Sequence, residues 1–236
     1  MIPTQTLFDA TEATWPPAST HHAGAFTLRE GKGGGSRVSS ASAGDGWKAR
    51  DIDLAEAAMA TMGQPLLFMI RPGQTQLDEA LRDRGYQSVN TTLIYIAPVA
   101  ALGPAPDPMK ALPHWPPLAV TEAIWADEGI GAPRRAVMDR VTGPRVAILG
   151  RTADHTAGAA FVAVAGPMAA LHALAVRKEA RRSGTGSNIL RRAAAWAAEQ
   201  GATDLMLAVT EANIPARALY ASLGMQAVEQ YHYRVK

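Results

Sequence analysis

Between Leu171 and Gly224 the chain specifies its local structure more tightly than anywhere else. LHALAV reads as an apolar strand, RKEARRSGTGS as a basic turn and NILRRAAAWAAEQG as a helix. ATDLMLAV is then a second strand and TEANIPARALYASLG a second helix. Both alternating sets of the first strand, Leu171, Ala173, Ala175 and His172, Leu174, Val176, are mostly apolar, which fits a strand buried on both faces. The turn between strand and helix carries the chemistry. Arg181, Gly184 and Gly186 have the spacing R-x-x-G-x-G, and the helix starts directly behind them. Glycines there let the backbone come close to a ligand. The free amides of the first helical turn, with the helix dipole behind them, make an anion site. An ordinary strand–helix turn with a solvated basic edge is the plainer reading of the same residues.

The segment C-terminal to the turn decides between them. Asn213, Pro215 near a helix start, Ala218-Leu219-Tyr220 and a Leu223-Gly224 stop complete an ordered set. Strand, R-x-x-G-x-G, helix, strand and N-x-x-A-x-x-L-Y-x-x-x-G resemble the GCN5-related N-acetyltransferases, over roughly Arg145 to Lys236. The resemblance implies an α+β fold with a mixed, mostly antiparallel sheet flanked by helices, and acetyl-CoA as acyl donor. It places the cofactor on Leu174, Ala175, Val176, Arg181, Arg182, Ser183, Gly184, Thr185, Gly186, Ser187, Asn213 and Arg217. It also implies direct attack of an amine on the thioester, with no covalent enzyme intermediate.

Three tasks then remain: holding the thioester, deprotonating the amine and protonating the leaving thiolate. The family's first central strand splays from the next, so the amides of Leu174 and Val176 are expected on the cofactor, with Leu174 nearest the carbonyl oxygen. Tyr220 carries over as the acid for the thiolate, against a packing role in its helix. Asn213 either bonds the cofactor or caps a helix. Where many relatives place a Glu, this chain has Ala170. His172, two residues on and therefore on the same face, is one candidate base and a buried structural histidine is the other reading. Glu211 is a second candidate, and a water chain with no single base a third.

Composition narrows the class. There is no cysteine among 236 residues, which excludes thiolate nucleophiles, Cys-ligated zinc and disulfides. No metal is expected. The start of the chain shows no basic segment before an apolar core, and Gly166-Pro167 splits the most apolar window into two strand-length pieces. A soluble, cytoplasmic protein is the expectation, with no membrane partner. Net charge is +2 overall, but six basic residues and one acid lie between Arg177 and Arg192, which suits the phosphates of coenzyme A. Residues 1–100 carry 8 basic and 10 acidic residues, so no broad basic face for nucleic acid is expected.

Length suits two domains. Residues 4–15 read as a helix ending at Trp15-Pro16-Pro17, and Ala25 to Glu30 as a strand. Gly31 to Gly35 then reads as a hairpin connection into a strand from Arg37 to Ala41, since the run lacks G-x-x-x-x-G-K-[ST]. Next come a helix through Met62, a strand from Leu66 to Ile70, a helix from Gln74 to Arg84 and a strand from Val89 to Ile96. Seven prolines among residues 97–117 read as a linker. Helices from Thr121 to Glu128 and Ala132 to Val141 precede strands from Arg145 to Leu149, Ala157 to Val164 and Met168 to Val176. Gln226 to Val235 closes the sheet as one bent strand or a hairpin.

The halves also match one another. Thr11 to Trp15 agrees with Thr121 to Trp125 in four of five places, and Leu77 to Val89 parallels the segment around Gly224, with Leu81 opposite Tyr220. The excess length of the second half is expected at the phosphate turn and its helix. The domains expected are therefore a degenerate acetyltransferase-like copy at 1–97, a linker at 98–117 and a catalytic domain at 118–236. The function expected is acetyl-CoA-dependent transfer to a small-molecule or peptide amine, by a monomer. An aminoacyl-tRNA-dependent transferase of the same fold and a non-catalytic acyl-CoA-binding module are the alternatives.

Overall fold

The computed structural model describes residues 2–153 and 155–236. In the first half, α1 (Thr4–Thr14), β1 (Ser19–Ala23), β2 (Phe26–Glu30) and β3 (Ala41–Ala43) precede α2 (Ala49–Thr61), β4 (Leu67–Ile70), α3 (Thr75–Asp83) and β5 (Gln87–Pro98). The second half starts with β6 (Ala111–His114), α4 (Ala119–Asp127) and α5 (Ala132–Asp139). It continues with β7 (Arg145–Thr152), β8 (His155–Ala165), β9 (Met168–Val176), α6 (Thr185–Glu199), β10 (Asp204–Thr210), α7 (Ile214–Ser222) and β11 (Gln226–Val235). All the strands form one sheet in the order β1-β2-β3-β4-β11-β5-β10-β9-β8-β7-β6. Among the described residues only β3–β4 and β9–β10 are parallel. This is the mixed, mostly antiparallel α+β sheet expected.

Strand–strand–strand–helix–strand–helix–strand occurs in both halves, with the parallel pair at the same place in each. The last strands are interleaved. β5 lies between β10 and β11, and β11 lies between β4 and β5. β5 pairs with all of β10, from Asp204↔Pro98 to Thr210↔Thr92. Each half therefore closes the other's sheet, which removes two edges that would otherwise expose unpaired backbone. Asp78 on α3 reinforces the join, accepting from Arg234 Nε at 2.7 Å and Arg234 Nη2 at 2.9 Å on β11.

Helices cover both faces. Ile189, Leu190 and Ala193 of α6 pack with Val146, Ile148 and Leu171 on one side. Trp125 of α4, Val137 of α5 and Trp15 pack with Phe161 and Ala163 on the other. In the first half Leu7 and Phe8 of α1 meet Met69 and Tyr231, while Ile52 and Leu77 meet Phe68. The burial of both faces is why β8 reads as an unbroken apolar run rather than an alternation.

Several expectations change. The proline-rich stretch is no free linker: Ala111–His114 pairs with β7, Leu102 and Ala111 are buried, and Arg192 donates to Pro106 O. Proline is tolerated there because β6 is an edge strand. Residues 37–41 do not form the strand expected; a 3-10 turn at Ser36–Val38 precedes a three-residue β3. β1 escaped the sequence reading because Ser-Thr-His-His is polar and exposed. The first half does possess a helix, α2, in the place of α6, so the extra length of the second half comes from α5 and longer strands. Gln226–Val235 is a single strand with two irregularities against β5, the bent form of the two offered.

Candidate active site

β9 and β10 run together only from Met168↔Asp204 to Leu171↔Leu207. Beyond that point β9 continues along β8 and β10 along β5, so the two part and leave a gap. One extra residue in β9 marks the divergence: the register against β8 shifts between Ala159 and Phe161, and Ala173 has φ +52°. Such a bulge re-aims the residues after it. Trp125 Nε1 holds it by donating to Ala173 O at 2.9 Å. Arg177 N donates to Ala157 O on β8 at 2.9 Å. By strand alternation from Arg177, the Val176 and Leu174 amides then face the gap.

At the end of β9 the basic turn leads into α6. Gly184 caps the helix with φ +86°, a conformation that favours glycine. Asn188 N donates to Gly184 O, and among the described residues no protein acceptor takes the amides of residues 182–187. Gly150 and Gly158 let α6 approach the sheet, since a Cβ at either would fall within 3.2 Å of Ile189 and Thr185 side-chain atoms. A cavity of about 630 Å³ opens over these amides, lined by Leu174, Ala175, Val176, Arg181, Arg182, Gly184, Thr185, Gly186, Ser187, Asn213 and Tyr220. A polyanion fits this surface: amides converge on it, the α6 dipole faces it and Arg182 lies at its side.

Not every residue expected there contributes its side chain. Arg181 is tied down, with Nη2 2.9 Å from Glu128 Oε2 and Nε 3.1 Å from Val176 O, so it shapes the turn. Ser183 Oγ turns inward to Ala180 O at 2.6 Å. Arg217 donates to Glu211 O and lies outside the cavity lining. Asn213 Oδ1 accepts from Ala216 N at 3.2 Å, which makes it the cap of α7, while the residue also borders the cavity.

A second cavity, about 430 Å³, lies across the gap. It shares Ile130, Leu174, Asn213 and Tyr220 with the first. Its remaining walls include Trp15, Arg37, Asn90 and Thr92 from the first half and Tyr231 and Tyr233 from β11. Tyr220 stands at the junction, its ring 5.6 Å from that of Tyr95. Burial first, and Tyr95 second, push its phenol up to about 12. It is a neutral donor at ordinary pH, and its hydroxyl has no protein partner among the described residues.

His172 is held on both sides. Arg37 Nη1 lies 3.2 Å from Nδ1 and Thr14 Oγ1 lies 2.9 Å from Nε2. A guanidinium only donates, so Nδ1 is the acceptor and Nε2 carries the proton. Thr14 accepts that proton and donates its own to Ala10 O at 2.7 Å. Burial first, then Arg37, hold the imidazole well below its usual pKa. Its free lone pair is already engaged, which suits a positioning residue better than a base. Glu211 is exposed and borders neither cavity. Among the described residues no Asp or Glu lines the second cavity at all.

Sequence reasoning expected the first half to wall the acceptor's entry but did not name Trp15, Arg37, Asn90 or Thr92 as the residues that do so. The Gly31–Gly35 run is the signal that pointed there. A Cβ on Gly34 would lie 2.6 Å from Val137 of α5, so the glycines let this loop pack against the second half and carry Arg37 in.

Residues 121–225 match the acetyltransferase (GNAT) family. An uncharacterized N-acetyltransferase, YobR, from Bacillus subtilis (strain 168) is 25% identical over 236 residues, covering 95% of each chain. A GCN5-related N-acetyltransferase from Kribbella flavida has the same fold, with TM-score 0.74 and 18% identity over 100% of this chain and 96% of that one. A tandem GNAT protein from the clavulanic acid biosynthesis pathway superposes with TM-score 0.59 and 13% identity, over 89% of this chain and 77% of that one. Among the described residues no helix is long and apolar enough to cross a membrane.

Proposed function

We propose that this N-acetyltransferase, whose residues 121–225 match the GNAT family, takes its acetyl group from acetyl-CoA and transfers it to a primary amine. The observation that carries the reading is the meeting of two cavities at Leu174 and Tyr220, one lined by free amides and the other built by both halves of the chain. Acetyl-CoA bound in the first would present a thioester to an amine in the second.

The chain's own groups then divide the work. Amides of residues 182–187 hold phosphate by charge-assisted bonds. The Leu174 amide, facing the gap, donates to the carbonyl oxygen as negative charge grows on it. The amine forms the new C–N bond and the C–S bond breaks. The Tyr220 hydroxyl hydrogen-bonds the leaving sulfur as charge develops on it, and the thiolate takes its proton from solvent. No carboxylate lines the acceptor cavity among the described residues, so the surplus amine proton leaves through water. Arg37 and Arg134 disfavour an ammonium there and help to keep the attacking amine neutral.

The first half reads as a copy of the same unit that has lost the cofactor site. Leu81 is buried at the seventh position of α3, as Tyr220 is at the seventh of α7. Where α6 has free amides, α2 closes its own N-terminus: Asp51 Oδ2 accepts from Lys48 N at 2.9 Å. A carboxylate of the chain occupies the place that a phosphate would need. One acetyl-CoA per chain is the consequence.

Calorimetric titration with acetyl-CoA, then thiol release over a panel of amines, tests the proposal. Binding at a ratio of one with amine-dependent thiol release is the expected result. Binding without release from any amine would leave an acyl-CoA-binding module instead.

A further inference from the structure

Arg37 is a cation without a counter-ion at the wall of the acceptor cavity. Its Nε is sealed from solvent and has no hydrogen-bond partner. Its Nη1 meets the neutral His172 ring at 3.2 Å. Among the described residues no carboxylate lies within 4.0 Å of its guanidinium, whereas the neighbouring Arg29 is paired with Glu12 at 2.8 Å. Tyr231 and Tyr233 stand beside it and offer hydroxyl oxygens as acceptors, with no carboxylate among them. Arg134 adds a second cation at the rim of the same cavity, and the described lining contains no acid. A half-buried guanidinium set among neutral groups, with no counter-charge, is costly to hold, unless a ligand completes the pair.

We propose that the acceptor is an amine bearing its own carboxylate, an amino acid or close relative, and that Arg37 pairs with that carboxylate while the amine faces Leu174 and Tyr220. This deepens the acetyl-transfer reading and rests on it. The placement supports it in three ways. Arg37 touches His172, two residues before Leu174 on β9, and lines the same cavity of about 430 Å³ as Leu174 and Tyr220. A cavity of that size suits a carboxylate and an amine on one small molecule. Next, the His172 lone pair and the Thr14 hydrogen bond fix the guanidinium from behind, so its remaining N–H groups are pre-oriented for a planar two-oxygen partner. Finally, a polyamine or a cationic drug amine would set further positive charge against Arg37 and Arg134 with no acid to receive it.

The test needs no variant at its first stage. Each common L-amino acid is compared with its carboxamide for thiol release from acetyl-CoA, with spermidine as a cationic control. The amino acid that is best used should exceed its carboxamide by at least about 30-fold in kcat/KM, the lower end expected for a lost buried charge pair. The carboxamide has the more easily deprotonated amine, so its failure would point to the carboxylate. Arg37→Gln should bring the two within about 3-fold of each other and leave acetyl-CoA affinity unchanged, because Arg37 does not border the donor cavity. Arg37→Met serves, with the same expected loss of preference, if the glutamine variant fails to fold. Calorimetry of the same acid and carboxamide in the presence of CoA reads the preference without turnover. Equal binding of the two, or faster release with spermidine, would overturn the assignment. A retained preference for the acid without any thiol release would overturn the transfer reading alone.

Discussion

Tyr220→Phe removes a single oxygen from the junction of the two cavities, and its consequence can be worked out from the structure. The ring keeps its place beside Tyr95 and its neighbours in the core. No described residue bonds the hydroxyl, so no partner is orphaned and unfolding free energy should move by less than about 0.5 kcal/mol. The kinetic effect is larger. A phenol at about 12 is weaker than an ordinary thiol of about 8.5. Complete proton transfer would therefore be uphill by about 5 kcal/mol between the isolated groups, and Tyr220 acts chiefly as a hydrogen-bond donor to the developing thiolate. A bond of that kind is worth about 1.5–3 kcal/mol, so the acetyl-transfer step should slow by about 13- to 160-fold. Single-turnover thiol release with the best amine of the panel measures this step, and calorimetry checks that acetyl-CoA still binds. Since the phenol titrates near 12, the wild-type rate should show no basic limb from it below about pH 10. An unchanged single-turnover rate would refute the donor role. A limb near pH 8–9 that vanishes in the variant would refute the argument from burial.

Three further outcomes are expected. Gly184→Asp should weaken acetyl-CoA by at least about 100-fold, whereas Gly184→Asn should cost much less, since both tolerate the φ of +86° better than other residues but only Asp adds charge opposite the phosphates; equal losses on calorimetry would show that backbone shape alone matters. A 118–236 fragment should be aggregation-prone or unfolded on light scattering and circular dichroism, because it lacks β5 and leaves β10 and β11 with open edges; a soluble, fully active fragment would contradict the interleaved sheet. Asp78 is held down to about 2, first by its Arg234 hydrogen bonds and then by His232, against the opposing effect of burial. Its contribution should be present above about pH 4 and fade as pH falls towards 2. With solvent screening it is about 1 kcal/mol, so Asp78→Asn should be less stable than the parent by that amount at pH 7 and equal to it at pH 2, measured by denaturant unfolding.

The donor half of the site was legible because it is local. Val176, Gly184, Gly186 and the start of α6 are neighbours in sequence, and a strand, a turn with positive φ and a helix N-terminus result from short-range rules of backbone sterics and hydrogen bonding. Tyr220 was legible through the spacing of its helix. Even there, sequence left open whether Asn213 caps α7, and it could not show that Arg181 is tied to Glu128, 53 residues away, because that pair is brought together only by folding.

The acceptor half was decided by tertiary structure. Arg37 stands 135 residues from His172, and the two meet at 3.2 Å only because the first half packs across the opening between β9 and β10. The interleaving of β5 and β11 was equally invisible: either order of pairing buries the same apolar pattern, and nothing in a strand's alternation names its neighbour. Local propensity determined which segments are strands and helices and where an anion can be held. Long-range packing alone determined that a glycine-rich loop from the first half delivers a cation to a cavity in the second, because burial and pairing are properties of two surfaces in contact and not of either sequence by itself.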